Sequence, residues 1–193
     1  MRCAQCGKLS FRLICDDCAR NLSEFEAGTR ELADGFKIYY FYKYSSIKKL
    51  IFSKHHMHGG FVFQALAKIS FAAWAREQDF GGEYVLAVPL DDHVRGGYSH
   101  TAILARALRS NVIKPIFGAL RAKNHVKYAG KTLKFRQTHP RGFALSKPLS
   151  APVILVDDVV TTGTSMLEAK KAVEKAGGSV LFGLVLADAK EDL

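Results

Sequence analysis

Apolar and polar positions fall along this chain in blocks, and the blocks predict strands and helices in alternation. Residues 153–156 are four consecutive β-favouring apolar residues, Val-Ile-Leu-Val, the mark of a strand buried on both faces of a parallel sheet. Residues 84–90, YVLAVPL, repeat that character up to Pro89, and residues 111–117 and 181–187 supply two further strands. Residues 36–46, FKIYYFYKYSS, are dense in aromatic and β-branched side chains and predict strand and hairpin. Helical spacing fills the intervals. Residues 47–54 predict a helix with a basic face, residues 61–74 one with a broad apolar surface that includes Trp74, and residues 101–108 one whose Ile103, Leu104, Ala107 and Leu108 share a side. From Met166 to Ala176 apolar residues and lysines recur at helical spacing until Gly177 and Gly178 stop them. Residues 27–34 read as a short polar connection, with Gly28 and Gly35 as breakers. Strands alternating with helices indicate an α/β fold built on a parallel sheet.

The amino end does not share this pattern. All four cysteines lie in the first eighteen residues, as Cys3, Cys6, Cys15 and Cys18, in two C-x-x-C pairs. Each pair supplies two thiolates from one tight knuckle, and two knuckles complete the tetrahedron that structural zinc takes. The eight-residue gap is short for a zinc ribbon, so the expected unit is too small to fold without its metal. Two disulfides and an iron–sulfur cluster are the competing readings; the first lacks a signal peptide to favour it and the second lacks any sign of electron transfer. The expected organisation is a zinc module over residues 1–30 and one α/β domain over residues 31–193.

Charge is equally uneven. The chain of 193 residues carries 28 Lys and Arg against 18 Asp and Glu, yet no acidic residue occurs between His93 and Val156. The twelve basic residues of that window account for the whole net charge of +10. Such a field attracts polyphosphate or nucleic acid, and Tyr98, Tyr128, Phe135 and Phe143 within it suit base stacking along a single strand. Arg121, Lys123, Lys127, Lys131, Lys134, Arg136 and Arg141 are the candidate DNA contacts. A solvated face that only aids solubility is the plainer alternative. No apolar run approaches the ~18 residues that span a bilayer. The expected protein is therefore soluble and cytoplasmic, with peripheral docking at the inner membrane open to its basic window.

The densest chemistry follows the strand at 153–156. Asp157 and Asp158 can accept hydrogen bonds from the vicinal hydroxyls of a ribose, directly or beside a magnesium ion. Thr161, Thr162, Gly163, Thr164 and Ser165 then bring hydroxyls, a glycine that lets backbone approach closely, and the free amides of a helix start, all suited to a phosphate. An acidic turn that merely caps the helix is the plain alternative. No G-x-G-x-x-G follows a strand and no P-loop occurs, which argues against a dinucleotide fold or a nucleotide triphosphatase. His55, His56 and His58 read as a polar loop; His93 and His125 lack an orienting partner in the sequence; Asp91 and Asp92 read equally as a magnesium site or an exposed turn.

The run from Asp157 to Ser165 resembles the phosphoribosyl pyrophosphate loop of type I phosphoribosyltransferases. By that resemblance the two acids hold the ribose 2′ and 3′ hydroxyls and the following loop cradles the 5′-phosphate. Together with the cysteine pairs and the basic window, the chain resembles the ComF family of competence proteins, which join cysteine knuckles to a phosphoribosyltransferase-like domain. Further matches are a tyrosine, basic apolar helix and lysine over residues 40–54, the V-P-L strand end at Val88, Pro89 and Leu90, and the L-A-R-A-L helix at residues 104–108. Where the family writes R-G-F-N-Q this chain has Gly96, Gly97, Tyr98, Ser99 and His100, with Arg95 one place early, and its later Arg, Asn, Gly-x-Phe pattern is met loosely by Arg136, His139, Gly142 and Phe143. Pro89, Leu90 and Arg95 are the candidates for the pyrophosphate side.

The resemblance implies a DNA-uptake factor of natural transformation that binds phosphoribosyl pyrophosphate with magnesium, carries structural zinc, handles single-stranded DNA, and works with a helicase or inner-membrane DNA channel. Two alternatives stand beside it: an active phosphoribosyltransferase of nucleotide metabolism, and a regulator that senses phosphoribosyl pyrophosphate while holding DNA.

Overall fold

The computed structural model describes residues 1–56, 58–90, 98–124 and 141–190. Its centre is a six-stranded sheet. In chain order the strands and helices are α1 (Asp16–Ser23), β1 (Gly28–Glu31), β2 (Lys37–Lys43), α2 (Tyr44–Phe52), α3 (Gly59–Ile69), α4 (Phe71–Arg76), β3 (Val85–Pro89), α5 (His100–Ala107), β4 (Ile113–Pro115), β5 (Leu120–Ala122), β6 (Phe143–Leu145), β7 (Val153–Val160), α6 (Thr164–Lys175) and β8 (Val180–Asp188). The sheet order is β1-β2-β8-β7-β3-β4, parallel except for the antiparallel edge strand β1. The α/β fold with a mostly parallel sheet is thus as the periodicity predicts.

Both faces of the sheet are covered, which is why β3 and the first four residues of β7 are apolar and buried at every position. One cluster packs Ile154, Val156, Leu184 and Leu186 against Ile47, Leu50, Phe63, Leu66, Phe71 and Leu104 from α2 to α5. The other packs Val153, Leu155 and Val185 against Met166, Ala169 and Val173 of α6 and against Leu120 and Phe143. Alternation over residues 153–156 of β7 therefore sends Ile154 and Val156 to the α5 side and Val153 and Leu155 to the α6 side. Full burial of a side chain such as Phe63 or Leu66 contributes about 1.5–3 kcal/mol.

Four elements differ from the periodic reading. Residues 28–31 form the edge strand β1, although residues 27–34 read as a connection; its burial alternates over only four residues, GTRE, too short and polar to show a period. The hairpin is accordingly β1–β2, and α2 begins directly at Tyr44. The helix expected over 61–74 is two, because Ser70 breaks it with φ −100° and ψ −74° while its hydroxyl donates to the Leu66 carbonyl at 2.8 Å. The strand expected over 111–117 shortens to Ile113–Pro115, where Pro115 has no N–H to extend the ladder. Trp74 is partly buried and meets Phe182 edge to face at 6.1 Å.

The amino-terminal residues pack onto this body. Ile14 and Leu22 lie in the α2–α5 core cluster, the Tyr42 hydroxyl donates to the Leu22 carbonyl at 2.7 Å, and Lys49 Nζ donates to the Gln5 carbonyl at 3.2 Å.

Candidate functional site

Strand order locates the site before any side chain is considered. From β3 the chain passes through α5 on one face to β4, while β7 lies on the other side of β3 and leads through α6 on the opposite face to β8. The carboxyl ends of β3 and β7 therefore flank a topological switch point, the crevice in which open α/β sheets bind ligands. The two ends are joined there, since the Leu90 N–H donates to the Val156 carbonyl at 2.9 Å. Pro89 ends β3 and both Pro89 and Leu90 are buried.

Strand β7 does not stop where its apolar run stops; it carries Asp157 and Asp158 as strand residues to Val160 and only then turns. The two carboxylates stand beside each other at the strand end, close enough for their side chains to interact, yet meet different partners. Asp158, 6% exposed, pairs with Lys54 Nζ at 2.7 Å and lies 3.6 Å from His100 Nε2, with Lys54 coming from the turn after α2 and His100 from the first residue of α5. Burial alone would raise the Asp158 carboxyl, but the Lys54 charge, His100 and the hydrogen bond from Lys54 outweigh it and hold the group well below the usual carboxylate range. Lys54 is raised in turn, mainly by the Asp158 charge. Asp157 is half-buried and behaves oppositely: burial and the Asp158 charge push it up, with Arg141 pulling it partly back. One carboxylate of the pair is kept ionised by a built-in cation, and the other is pushed toward its protonated form beside it.

Backbone donors tie both acids to the strand end. The Asp158 N–H donates to Asp157 Oδ1 at 2.8 Å and the Val159 N–H to Asp158 Oδ1 at 2.9 Å. Gly163 then takes the left-handed conformation at φ +79°, immediately before α6, and a Cβ there would run into the Leu32 side chain. The Thr162 and Thr164 hydroxyls lie 2.9 Å apart, and the first turn of α6 carries no acidic residue, so its positive end faces no internal carboxylate of its own. Arg30 of β1 fixes the turn from behind, bonding the Thr161 carbonyl and pairing with Asp188 Oδ1 of β8 at 2.9 Å while only 15% exposed. Acids, hydroxyls and free amides therefore stand in sequence on one strand–turn–helix unit, an arrangement that can accept hydrogen bonds from a diol and donate them to a phosphate.

The cysteines form a second site. The ligating atoms of Cys3, Cys6, Cys15 and Cys18 all lie within 4.8 Å of one another, and they are the one group of three or more potential metal ligands among the described residues. No disulfide joins them. A tetrahedron with Zn–S bonds of ~2.3 Å places sulfurs ~3.8 Å apart, and Cys6 Sγ lies 3.8 Å from Cys15 Sγ. Gly7, at φ +77°, donates its N–H to the Cys3 carbonyl at 2.9 Å and closes the first knuckle; the Cys15 N–H approaches Cys3 Sγ at 3.3 Å. The donor set fits a four-thiolate ion such as zinc. His56 and His58 instead stack on each other at 5.5 Å and belong to no such group.

Of the candidate DNA contacts, Arg121 and Lys123 are exposed on and beside β5, and Arg141 sits within electrostatic reach of Asp157. Lys127, Lys131, Lys134 and Arg136, with Arg95, Asp91, Asp92, His93, His125, Tyr128, Phe135 and His139, lie outside the described residues. Arg30 carries no sequence signal for a role at the site, and His100 only the last place of the stretch where the resembling family writes R-G-F-N-Q. Lys54 has one only as the terminal lysine of the family-like segment over residues 40–54.

No protein-family model matches the chain. Local sequence similarity links it to orotate phosphoribosyltransferases: 52% identity over 48 residues with that of Novosphingobium aromaticivorans, covering 25% of this chain and 24% of the relative. The match to the Lactobacillus johnsonii enzyme is 30% identical over 115 residues, 57% of this chain and 47% of the relative. The chain thus spans less than half the length of these curated relatives. Among solved structures, the orotate phosphoribosyltransferase of Aeropyrum pernix aligns with a TM-score of 0.41 at 19% identity, over 89% of this chain and 80% of that one.

Proposed function

We propose that this protein binds phosphoribosyl pyrophosphate with magnesium at the β3–β7 switch point and serves in DNA uptake during natural transformation. The observation that carries the ligand is the strand–turn–helix unit from Asp157 to Ser165, where an acidic pair at a strand end leads into hydroxyls and the free amides of α6. In this reading the ribose 2′ and 3′ hydroxyls donate to Asp157 and Asp158, and the 5′-phosphate accepts from the amides and hydroxyls of residues 161–165. Lys54 keeps Asp158 ionised and in place. Magnesium neutralises the pyrophosphate and keeps several waters, as its coordination preference dictates. The four cysteines hold a structural zinc. Arg121, Lys123, Lys127, Lys131, Lys134, Arg136 and Arg141 take the single strand.

Titration calorimetry tests the ligand directly. Phosphoribosyl pyrophosphate with magnesium should bind the wild type and lose a hundredfold or more in affinity in Asp157→Ala with Asp158→Ala, given the ~1.5–3 kcal/mol of each charged hydrogen bond; equal affinities would sink the assignment. The biological role is read from transformation frequency in the native host, where the double substitution at normal protein level should fail as a full deletion does. Filter binding of a single strand across a salt series should fall steeply if phosphate contacts drive it, and a flat response would remove DNA from the proposal.

The local similarity to orotate phosphoribosyltransferases favours a second reading, transfer of the ribose 5-phosphate unit to an acceptor. Pyrophosphate release across a panel of bases and amines separates the two, since a binding role gives no turnover above the hydrolysis background.

A further inference from the structure

Helix α5 buries Thr101, Leu104, Ala105 and Leu108 and leaves its other face to a surface cavity of 410 Å³. It is lined by Tyr98, Ser99, Ala102, Ile103 and Phe117 together with Arg106 and Arg109. Arg106, in the last turn of α5, and Arg109, just past its end, are both exposed and line the same cavity. Neither is paired with a carboxylate among the described residues, and no acidic residue lines the cavity. More positive charge surrounds the Phe117 rim: Lys147 Nζ donates to the Phe117 carbonyl at 2.9 Å, and the Arg121 side chain folds over Gly118.

We infer that this cavity is a docking site for an acidic peptide segment of a partner protein, with an apolar residue seated between Ile103 and Phe117 and carboxylates on Arg106 and Arg109. Three features decide the chemistry. The apolar floor favours a hydrophobic side chain, which a free phosphate or sugar lacks. Two adjacent guanidinium forks match carboxylates bidentately, where a lysine would offer a point charge. A nucleic acid strand needs open aromatic faces, but Tyr98 is spent: its ring packs against Gly60 and its hydroxyl donates to the Lys54 carbonyl at 3.2 Å. Among the described residues that line the cavity, Phe117 alone remains as a platform, beside aliphatic Ala102 and Ile103. The length agrees with a short linear segment, since α5 from His100 to Ala107 runs ~12 Å, room for about three to four extended residues. The inference does not depend on what the Asp157 site binds.

Fluorescence anisotropy with the full-length protein tests it, using three labelled probes: a pentapeptide of acidic residues around a central phenylalanine, the same peptide with serine in the centre, and oligothymidylate. The phenylalanine peptide should bind tightest, and Arg106→Glu with Arg109→Glu should weaken it about tenfold or more, as loss of interfacial charge pairs does. Both positions are exposed, so the thermal melting temperature should be unchanged; Arg106→Lys with Arg109→Lys, which keeps the charge, should lose part of the affinity and guards against misfolding as the cause. Equal binding of the two peptides would mean diffuse electrostatic attraction and overturn the inference. So would oligothymidylate binding that depends on the same arginines in preference to peptide, or peptide binding that the variants leave unchanged.

Discussion

The two candidate sites hold their geometry by opposite means. At the switch point the functional groups ride on β7, whose Val153 to Val156 are wholly buried between two helical layers, so the turn at residues 161–163 is positioned whether or not anything is bound. At the amino end no sheet does this: apart from the isolated bridge between Arg2 and Leu9, the knuckles are held by a few turn hydrogen bonds and by the convergence of four sulfurs. The comparison teaches that a buried strand preorganises a ligand site at the expense of core sequence, whereas a metal lets about twenty residues dispense with a core of their own.

Chelation should break the comparison most visibly. Such four-thiolate sites carry an apparent metal binding free energy on the order of 10 kcal/mol, much of it spent on folding the module. Metal removal, or Cys3→Ser, should therefore unfold residues 1–25 and raise their amide hydrogen exchange, while β7 and β8 remain protected. Because Ile14 and Leu22 belong to the main core, the melting temperature should fall too.

The next largest effect is expected at Lys54. Lys54→Met strands a buried carboxylate and should cost about 3–5 kcal/mol in urea denaturation, most of it recovered by adding Asp158→Asn. Little or no loss in the single variant would show that Asp158 finds another cation.

Asp157 should respond in the opposite direction. Its carboxyl is raised in the folded protein, so its stabilising contribution is complete below the ordinary carboxylate value and is lost as pH rises above about 4. Asp157→Asn should thus stabilise the protein by about 1–2 kcal/mol near neutral pH and by less near pH 4, while weakening phosphoribosyl pyrophosphate binding by less than the double alanine substitution does. Asp158, held low, has the reverse sign: its contribution is present above about pH 4 and fades in acid. Melting curves of Asp157→Asn and wild type across pH should therefore diverge upward.

The smallest effect concerns the turn. Gly163→Ala forces a side chain into the left-handed region and against Leu32, for a loss of about 1–2 kcal/mol; adding Leu32→Ala should relieve the contact but not the backbone strain, so only part of the loss returns.

What was legible beforehand follows the same division. The strands at 153–156 and 181–187, buried on both faces, announce themselves by unbroken apolarity, and the cysteine spacing and the Asp157 to Ser165 run are local chemistry that a linear reading captures. Strand β1 escapes notice because an edge strand of four residues needs no apolar face. The continuation of β7 through Asp157 and Asp158 escapes because carboxylates look like a turn; only Lys54, a hundred residues away in sequence, makes Asp158 tolerable inside a sheet. His100 and Arg30 act through tertiary contacts with Asp158, Thr161 and Asp188, and no spacing rule could find them.

The pairing of β2 with β8 has a consequence for how the chain is made. These neighbours are separated by nearly the whole α/β body, so β2 emerges from the ribosome long before its parallel partner exists. Until residues 180–188 follow, the growing chain presents Ile38, Tyr39, Tyr40, Phe41 and Tyr42 on a strand with one open edge, a template for pairing with other chains. Translation that stops short of Leu181 should yield not a smaller working protein but an aggregating one, and high contact order should make completion of the sheet the slow event in reaching the native state.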